Sequence, residues 1–136
     1  MKNSKKNKVI FKDTLTIGLG STQIDIGVMV EDEIYSVSPA YTTYKINENF
    51  NSIFIKEYFQ YLNPMLSSKF IIKSVRQGKS IDKSGLLNFR APFPTAKEQN
   101  KIASLAKSLD KNINLNLKAK SKTEKYKLGI IQSLMI

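Results

Sequence analysis

A group of cationic and amide side chains surrounds Gly78, and their chemistry suits contact with nucleic acid. Lysine neutralises backbone phosphates, whereas arginine and glutamine can form paired hydrogen bonds with guanine and adenine in the major groove. The group could therefore contact phosphates through its lysines and a base through arginine or glutamine. On residue types alone, a solvated basic surface is the slightly favoured interpretation. The members are Lys69, Lys73, Arg76, Gln77, Lys79 and Lys83.

A glycine-containing segment nearer the N-terminus, Gly18-Leu19-Gly20-Ser21-Thr22, could be confused with a phosphate-binding loop. It lacks the lysine and the spacing of a nucleotide-binding P-loop. Glycine supplies the backbone conformations that tight turns require. The segment therefore predicts a simple turn between two strands.

Several catalytic chemistries are excluded by composition, because the chain contains neither histidine nor cysteine. It can form no disulfide, no thiolate metal site and no Ser-His-Asp triad. The carboxylates Asp25, Glu31, Asp32 and Glu33 are not grouped with a nucleophile, and three of them are consecutive, as in a polar turn. We therefore predict no catalytic residue and no metal site. A nuclease or hydrolase would need a carboxylate metal cluster that these residues do not assemble.

Two pairs of tyrosines allow two interpretations. Aromatic rings can stack on unpaired bases, but tyrosines at strand or helix spacing more often lie in a core with a hydrated hydroxyl group. We favour the core interpretation for these residues. They are Tyr41, Tyr44, Tyr58 and Tyr61.

The charge balance indicates a polyanionic partner. The 136 residues carry 22 Lys and Arg against 11 Asp and Glu, a formal net charge of +11 with a pI near 9.8. Nucleic acid is the simplest such partner, and a lysine-rich solubilising surface is the alternative. No apolar run approaches the roughly 18 residues of a membrane span, and the basic start lacks the apolar region of a secretory signal. We expect a cytoplasmic protein without membrane association.

The elements that must position these residues begin with strands. Hydrophobic residues make up 41% of the chain, enough for a core. Residues 1–8 indicate a disordered basic tail. Alternating apolar residues predict strands over 14–17 and 24–26 and over much of 34–46, where Pro39 indicates an interruption or an edge position.

The periodicity changes from strand spacing to helical spacing after residue 50. Helical spacing predicts one helix over 51–62 and a second over 67–75, separated by a break at Asn63-Pro64. Lys69, Lys73 and Arg76 would then share one helix face. A loop at 76–79 and a last short strand over 86–92 complete an α+β fold class.

A long C-terminal helix is predicted from about Ala96 to near Ile136. Thr95 and Glu98 have the spacing of a capping box, in which each residue bonds the other's backbone amide. Apolar residues then recur every three or four positions, which is typical of a helix packed along another helix. Gly129 favours local fraying. The predicted seam comprises Ile102, Leu105, Leu109, Ile113, Leu117, Leu128 and Ile131, continuing to Met135.

The same segments resemble the specificity subunits of type I restriction-modification systems. The resemblance covers roughly residues 9–136 and depends on the order and spacing of several short motifs. A proline strap and helix start resemble the end of a target-recognition domain and its spacer helix. The motifs are Pro92-Phe93-Pro94, Glu98-Gln99, Ile102-Ala103, Leu109-Asp110 and Ile113, together with Ser38-Pro39-Ala40-Tyr41-Thr42 (a strand), Arg76-Gln77-Gly78-Lys79-Ser80 (a glycine loop before the last strand) and Tyr126 to Ile136 (the helix ending).

The resemblance implies a non-catalytic protein that selects a sequence in double-stranded DNA and docks a modification methyltransferase subunit. The protein itself would bind no cofactor, because S-adenosylmethionine is held by the modification subunit. Residues 9–94 would form the recognition domain and 95–136 the spacer helix. The turn at 18–22 would lie near DNA, so that Ser21, Thr22 and Gln23 could donate to bases or phosphates.

The chain is shorter than a complete specificity subunit, which has two recognition domains and two such helices. It also lacks the tryptophan-containing entry segment of these domains. Two hypotheses follow. A half-subunit would form a homodimer, or pair with another specificity chain, through its helix and read a two-fold symmetric site. A truncated fragment would act as a protein-interaction module through its helix, without reading DNA.

Overall fold

The computed structural model describes residues 6–135 as a mixed α and β chain with a long C-terminal helix. Most of the predicted basic tail lies outside the described residues, and Lys8 already belongs to the first strand. The α+β fold class predicted from the sequence is confirmed. The elements are β1 Lys8–Ile10, β2 Thr14–Leu19, β3 Ile24–Met29, β4 Tyr35–Val37, β5 Thr42–Lys45, α1 Ser52–Phe70, β6 Ile71–Ser74, β7 Gly78–Ile81, α2 Lys83–Asn88 and α3 Ala96–Leu134.

The largest sheet has three antiparallel strands in the order β3-β2-β5. Its register pairs Ile17 with Ile26 and Leu19 with Ile24 on β3, and Leu15 with Tyr44 on β5. The alternating residues place Ile24 in the core, where only 1% of its surface is exposed. A separate antiparallel pair is formed by β1 and β4.

The helix α1 packs against β3 and supplies half of the buried hydrophobic residues. Phe54 and Ile55 belong to one buried cluster, and Leu66 and Phe70 belong to a second. The helix begins at Asn51, whose side chain accepts hydrogen bonds from two backbone amides of the first turn. Phe59 contacts both clusters and joins them.

The predicted helix break at Asn63-Pro64 is wrong, because α1 continues through Pro64 to Phe70. Proline in a helix interior costs about 3 kcal/mol. Leu66 and Phe70 follow the proline and are both buried. Burial of two such side chains contributes about 1.5–3 kcal/mol each, which offsets the cost.

Two predictions downstream of α1 are also wrong. Residues 71–74 form the strand β6 and not the end of the helix predicted over 67–75. The strand predicted over 86–92 is absent, because residues 83–88 form α2 and residues 89–92 belong to no strand. The Asp82 carboxylate accepts a hydrogen bond from the Gly85 amide at 2.9 Å and caps α2. The Asp82 amide donates to the Phe70 carbonyl at 2.8 Å, which returns the chain to the end of α1.

The helix α3 begins with reciprocal contacts between Thr95 and Glu98. The Thr95 amide donates to Glu98 Oε2 at 2.8 Å, and the Glu98 amide donates to Thr95 Oγ1 at 3.4 Å. Gln99 is buried and donates from Nε2 to the Pro94 carbonyl at 3.0 Å. The chain divides into two compact units between Ala103 and Ser104, so the first two turns of α3 belong to the first unit.

Candidate nucleic-acid interface

The turn between β2 and β3 presents the polar residues Ser21, Thr22 and Gln23. It is closed by a hydrogen bond from the Gly20 amide to the Gln23 carbonyl at 3.0 Å. A Cβ atom on Gly20 would lie 2.5 Å from that carbonyl oxygen. Glycine is therefore required at this position by the close approach of the backbone.

A small polar network fixes the strand that follows this turn. The Ile24 amide donates to Ser67 Oγ at 2.8 Å, and Asn63 Nδ2 donates to the Ile24 carbonyl at 2.9 Å. Ser67 in turn donates to Asn63 Oδ1 at 2.8 Å. Both backbone groups of a buried residue are thereby satisfied by α1, so the helix sets the position of the turn.

The hairpin of β6 and β7 presents the second polar group. Ile71 pairs with Ile81, and Lys73 pairs directly with Lys79. The three-residue connection ends at Gly78, which has φ +74°; a left-handed glycine is typical of such hairpins. Lys73 and Arg76 therefore do not share a helix face with Lys69, contrary to the prediction, because residues 71–74 are extended.

The turn and the hairpin meet at Lys79, whose Nζ donates to the Ser21 carbonyl at 2.7 Å. Between them lies an open pocket of about 470 Å³. Its lining contains two ammonium groups, hydroxyl groups and an amide, without a carboxylate. Such a surface can donate hydrogen bonds to anionic oxygens or to base edges. The lining residues are Thr22, Gln23, Pro64, Ser67, Ser68, Ile71, Lys73 and Lys79.

The remaining predicted contact residues lie outside this pocket. Lys69 Nζ is 5.5 Å from the ring centroid of Phe70 and 5.2 Å from that of Phe89, as in cation–π contacts. Lys83 lines a different, mainly apolar groove beside β2. Arg76 and Gln77 lie in the exposed connection of the hairpin. The structure thus brings Ser21, Thr22, Gln23, Lys73 and Lys79 together and leaves Lys69 and Lys83 elsewhere.

Asn63 and Ser67 were missed by the sequence reasoning. They are four residues apart, so they share a face of α1, but the predicted break at Pro64 divided them between two helices. A polar pair inside an apolar helical stripe is the signal that would have identified them. Ser68, which is exposed and lines the pocket, was missed for the same reason.

The four tyrosines have different surroundings. Tyr58 stacks on Phe54 at 5.3 Å, and its hydroxyl donates to the Pro92 carbonyl at 2.6 Å. Tyr61 is 80% exposed. Tyr44 lines an apolar groove of about 300 Å³ between the sheet, α1 and the proline strap.

Tyr41 supports β2, the strand that leads into the β2–β3 turn. A Cβ atom on Gly18 would lie 2.6 Å from its ring, so the glycine admits the aromatic side chain. Its hydroxyl donates to Asp25, and this hydrogen bond is the main reason that the pKa of Tyr41 is raised. Tyr41 ends the turn Ser38–Tyr41, and β5 begins at the next residue.

Other kinds of site have little basis in the described part of the chain. Residues 6–135 contain no group of three carboxylate, histidine or cysteine side chains that could hold a metal ion. In the same range, no helix has the length and apolarity that crossing a membrane requires.

The predicted seam of α3 lies on the surface. All seven residues from Ile102 to Ile131 in the predicted seam are exposed, from 40% at Ile131 to 61% at Leu105. A row of apolar side chains of this kind is typical of a helix that packs along a partner.

No protein-family model matches this chain, and no solved structure gives a significant match to it.

Proposed function

We propose that this chain is a DNA-recognition component similar to the specificity subunits of type I restriction-modification systems. In this proposal it is not an enzyme: it binds double-stranded DNA and docks a modification methyltransferase subunit. The observation that carries the proposal is the meeting of the β2–β3 turn and the β6–β7 hairpin around one carboxylate-free polar pocket.

In the β2–β3 turn and the β6–β7 hairpin, different side chains contact phosphates and bases. Lys73 and Lys79 contact phosphates, because ammonium groups act as point charges on the backbone. Gln23, Gln77 and Arg76 are the base-reading candidates, because glutamine and arginine form paired hydrogen bonds with adenine and guanine. Lys73 and Lys79 face each other across the hairpin. Like charges placed opposite one another destabilise a strand pair, and a bound phosphate relieves that repulsion.

The helix α3 provides the protein contacts in the same proposal. Its exposed seam packs against a second copy, or against the helix of another specificity chain. A dimer would place two recognition units on a two-fold symmetric DNA site.

A second candidate function is a protein-interaction module in which the helix acts and the first unit reads no DNA. The exposed seam of α3 is the observation in its favour. DNA binding that is absent, or that shows neither salt dependence nor sequence preference, would favour this function.

The test is selection of bound duplexes from a random-sequence library, followed by titration at several salt concentrations. We expect an enriched motif and an affinity that falls steeply with salt. Lys73→Gln should weaken all sequences about equally and reduce the salt slope by about 1. Gln23→Ala and Arg76→Ala should each relax the preference at one position, at a cost of about 1–3 kcal/mol for a base contact.

Lys56→Gln is the matched control, because Lys56 is an exposed lysine of the same unit that lies on α1 and outside the pocket. It removes the same charge and should leave the salt slope nearly unchanged. The double variant Arg76→Ala with Lys79→Ala tests the hairpin directly. Unchanged affinity at low salt in that variant would rule out DNA contact by this loop.

A further inference from the structure

A row of lysines follows α3 on the face opposite to the apolar seam. We call this row the lysine stripe, and it comprises Lys107, Lys111, Lys118, Lys122 and Lys125. These residues are four, seven, four and three positions apart, so at about 3.6 residues per turn they stay on one side of the helix. All five lysines are exposed.

The lysine stripe has no compensating carboxylates on its own face. The two acidic residues in this part of the helix are Asp110 and Glu124. Helical spacing places Glu124 on the seam side and Asp110 at the edge of the seam, three positions after Lys107. Within residues 6–135 the ion pairs are Lys12–Asp32 at 3.7 Å and Lys56–Glu57 at 4.0 Å, and neither involves α3.

This arrangement differs from that of an ordinary solvated helix, which gains stability from Glu and Lys placed four residues apart. Here Lys107 precedes Lys111 by four positions, and Lys118 precedes Lys122 by four. Each such like-charge pair destabilises a helix. A polyanion lying along the stripe would convert this repulsion into attraction.

The length of the stripe suits a long polyanion better than a small anion. Residues 107–125 span about 27 Å at about 1.5 Å per residue. Duplex DNA carries one charge per about 1.7 Å of its axis, so it offers phosphates along the whole stripe. The stripe contains neither arginine nor aromatic residues, which are the side chains that stack on unpaired bases.

We propose that the lysine stripe binds the phosphate backbone of double-stranded DNA independently of base sequence. This surface goes beyond the recognition function proposed above, because it lies in the second compact unit and requires no base reading. A membrane surface is the less favoured partner. A helix lying on a membrane buries its apolar face in the lipid, and Lys120 and Glu124 interrupt that face here.

The test compares two variants of the full chain that have lost the same charge. The stripe variant carries Lys107→Gln, Lys111→Gln, Lys118→Gln and Lys122→Gln. Glutamine has nearly the helix propensity of lysine, so helicity should persist. The control variant removes four exposed lysines that lie outside the stripe, the seam and the pocket: Lys12→Gln, Lys45→Gln, Lys56→Gln and Lys101→Gln.

Affinity for a duplex of arbitrary sequence is measured from low to moderate salt. We expect the stripe variant to lose at least about tenfold in affinity at low salt and its salt slope to fall by about 3 to 4, close to 0.9 for each lost contact. The control variant should lose much less. Restoring the charge with arginine at the same four positions should restore binding. If the glutamine variant loses helicity by circular dichroism, the pairs at 107/111 and 118/122 are tested separately, each with about half the effect.

Equal slopes in the stripe and control variants would overturn the proposal, as would absence of duplex binding by the unchanged chain. Tighter binding to an RNA duplex, or loss of binding only to vesicles containing phosphatidylserine, would assign the stripe to a different partner and also overturn it. The proposed recognition function fails separately, when binding shows no sequence preference or does not respond to Arg76→Ala and Lys73→Gln.

Discussion

At the residue scale, the candidate interface depends on Ser67, a buried residue that lines the pocket and whose hydroxyl is already paired within the protein. Its oxygen accepts from the Ile24 amide and donates to Asn63. Ile24 is the first residue after the β2–β3 turn and is only 1% exposed. The residue that positions the turn is therefore in the core of the first unit, on a different element from the turn itself.

Ser67→Ala should destabilise the protein by about 1–3 kcal/mol, because it leaves the buried Ile24 amide without an acceptor. Ser68→Ala is the matched control, since Ser68 is exposed and a surface change of this kind usually stays within about 0.5 kcal/mol. Urea unfolding of both variants measures the difference. Equal stability losses would show that the network does not hold the turn.

Glu98 makes the start of α3 sensitive to acid. Hydrogen bonds from the Thr95 hydroxyl and the Thr95 amide lower the pKa of Glu98 below its ordinary 4.5. A lowered pKa in the folded state means that this carboxylate stabilises the fold fully above about pH 4.5 and progressively less as pH falls through the lowered pKa.

Glu98→Gln is the variant that isolates this effect, because glutamine can occupy the same capping position but does not titrate. We expect the melting temperature of the unchanged protein, relative to that of Glu98→Gln, to decrease as the pH is lowered from 6 to 3. Thermal melts followed by circular dichroism measure it. A difference that is constant over this range would contradict a role for the ionised carboxylate.

At the element scale, replacing glycine by alanine should have opposite effects on stability in the β6–β7 hairpin and in the long helix α3. Gly78 has φ +74°, and a Cβ atom there would meet nothing within 4 Å. Gly78→Ala should therefore cost only the strain of a left-handed alanine, about 1–2 kcal/mol. Gly129 lies inside α3 and also has open space around it. Gly129→Ala should instead increase helicity and stabilise α3 by about 1 kcal/mol.

Opposite signs for these two substitutions are the test. For Gly78→Ala, urea unfolding measures the free energy of unfolding of the first compact unit. For Gly129→Ala, circular dichroism during heating measures the helix content. A stabilising effect of Gly78→Ala would mean that the hairpin connection does not hold its left-handed conformation in solution.

The strands and the long helix could be predicted because their signals are local. Alternating apolar residues mark β2 and β3, and the Thr95–Glu98 spacing with the following apolar seam marks α3. The end of α1 could not be predicted this way, because a proline that breaks an isolated helix is tolerated when Leu66 and Phe70 are buried beyond it. Leu86 and Leu87 predicted a strand, whereas the helix-capping residue Asp82 was the feature that indicated α2.

The candidate site was predictable in its residue types and only partly in its geometry. Thr22, Gln23, Lys73 and Lys79 meet although more than forty residues separate the turn from the hairpin, a juxtaposition that depends on how α1 packs on β3. Lys69 was predicted to lie beside Lys73 because both fell in a helix predicted over 67–75. The helix α1 ends at Phe70, so the two lysines belong to different elements. Lateral contacts of this kind depend on tertiary packing, which residue spacing does not specify.

At the scale of the whole molecule, which has a net charge of +11, two surfaces within residues 6–135 carry groups of lysines without ion-paired acidic partners. One is the pocket of the first unit, where two lysines accompany hydrogen-bonding side chains. The other is the lysine stripe of α3, which contains charge alone. Packing of the seam against another helix would leave the opposite, lysine face of α3 exposed to solvent. Assembly and DNA binding are therefore compatible on the same helix.

The proposed dimer predicts a mass change that depends on the helix face. Leu109→Gln with Ile113→Gln removes two seam residues and should convert a dimer to a monomer, because the apolar contact between helices is lost. Leu115→Gln with Tyr126→Gln removes two exposed apolar residues that helical spacing places outside the seam. This control pair should leave the dimer intact. Light scattering on a sizing column measures both masses, alone and with the modification methyltransferase.

The addition of the methyltransferase separates the two proposed functions. A dimer that takes up the methyltransferase, and loses it in the seam variant, supports a working half-subunit. A chain that is dimeric but ignores the methyltransferase supports an interaction module that pairs with other helices. A monomer in both the unchanged chain and the control pair would contradict self-association through the seam. The apolar row from Ile102 to Ile131 would then have to be covered by a different protein, because a surface of this extent rarely remains bare.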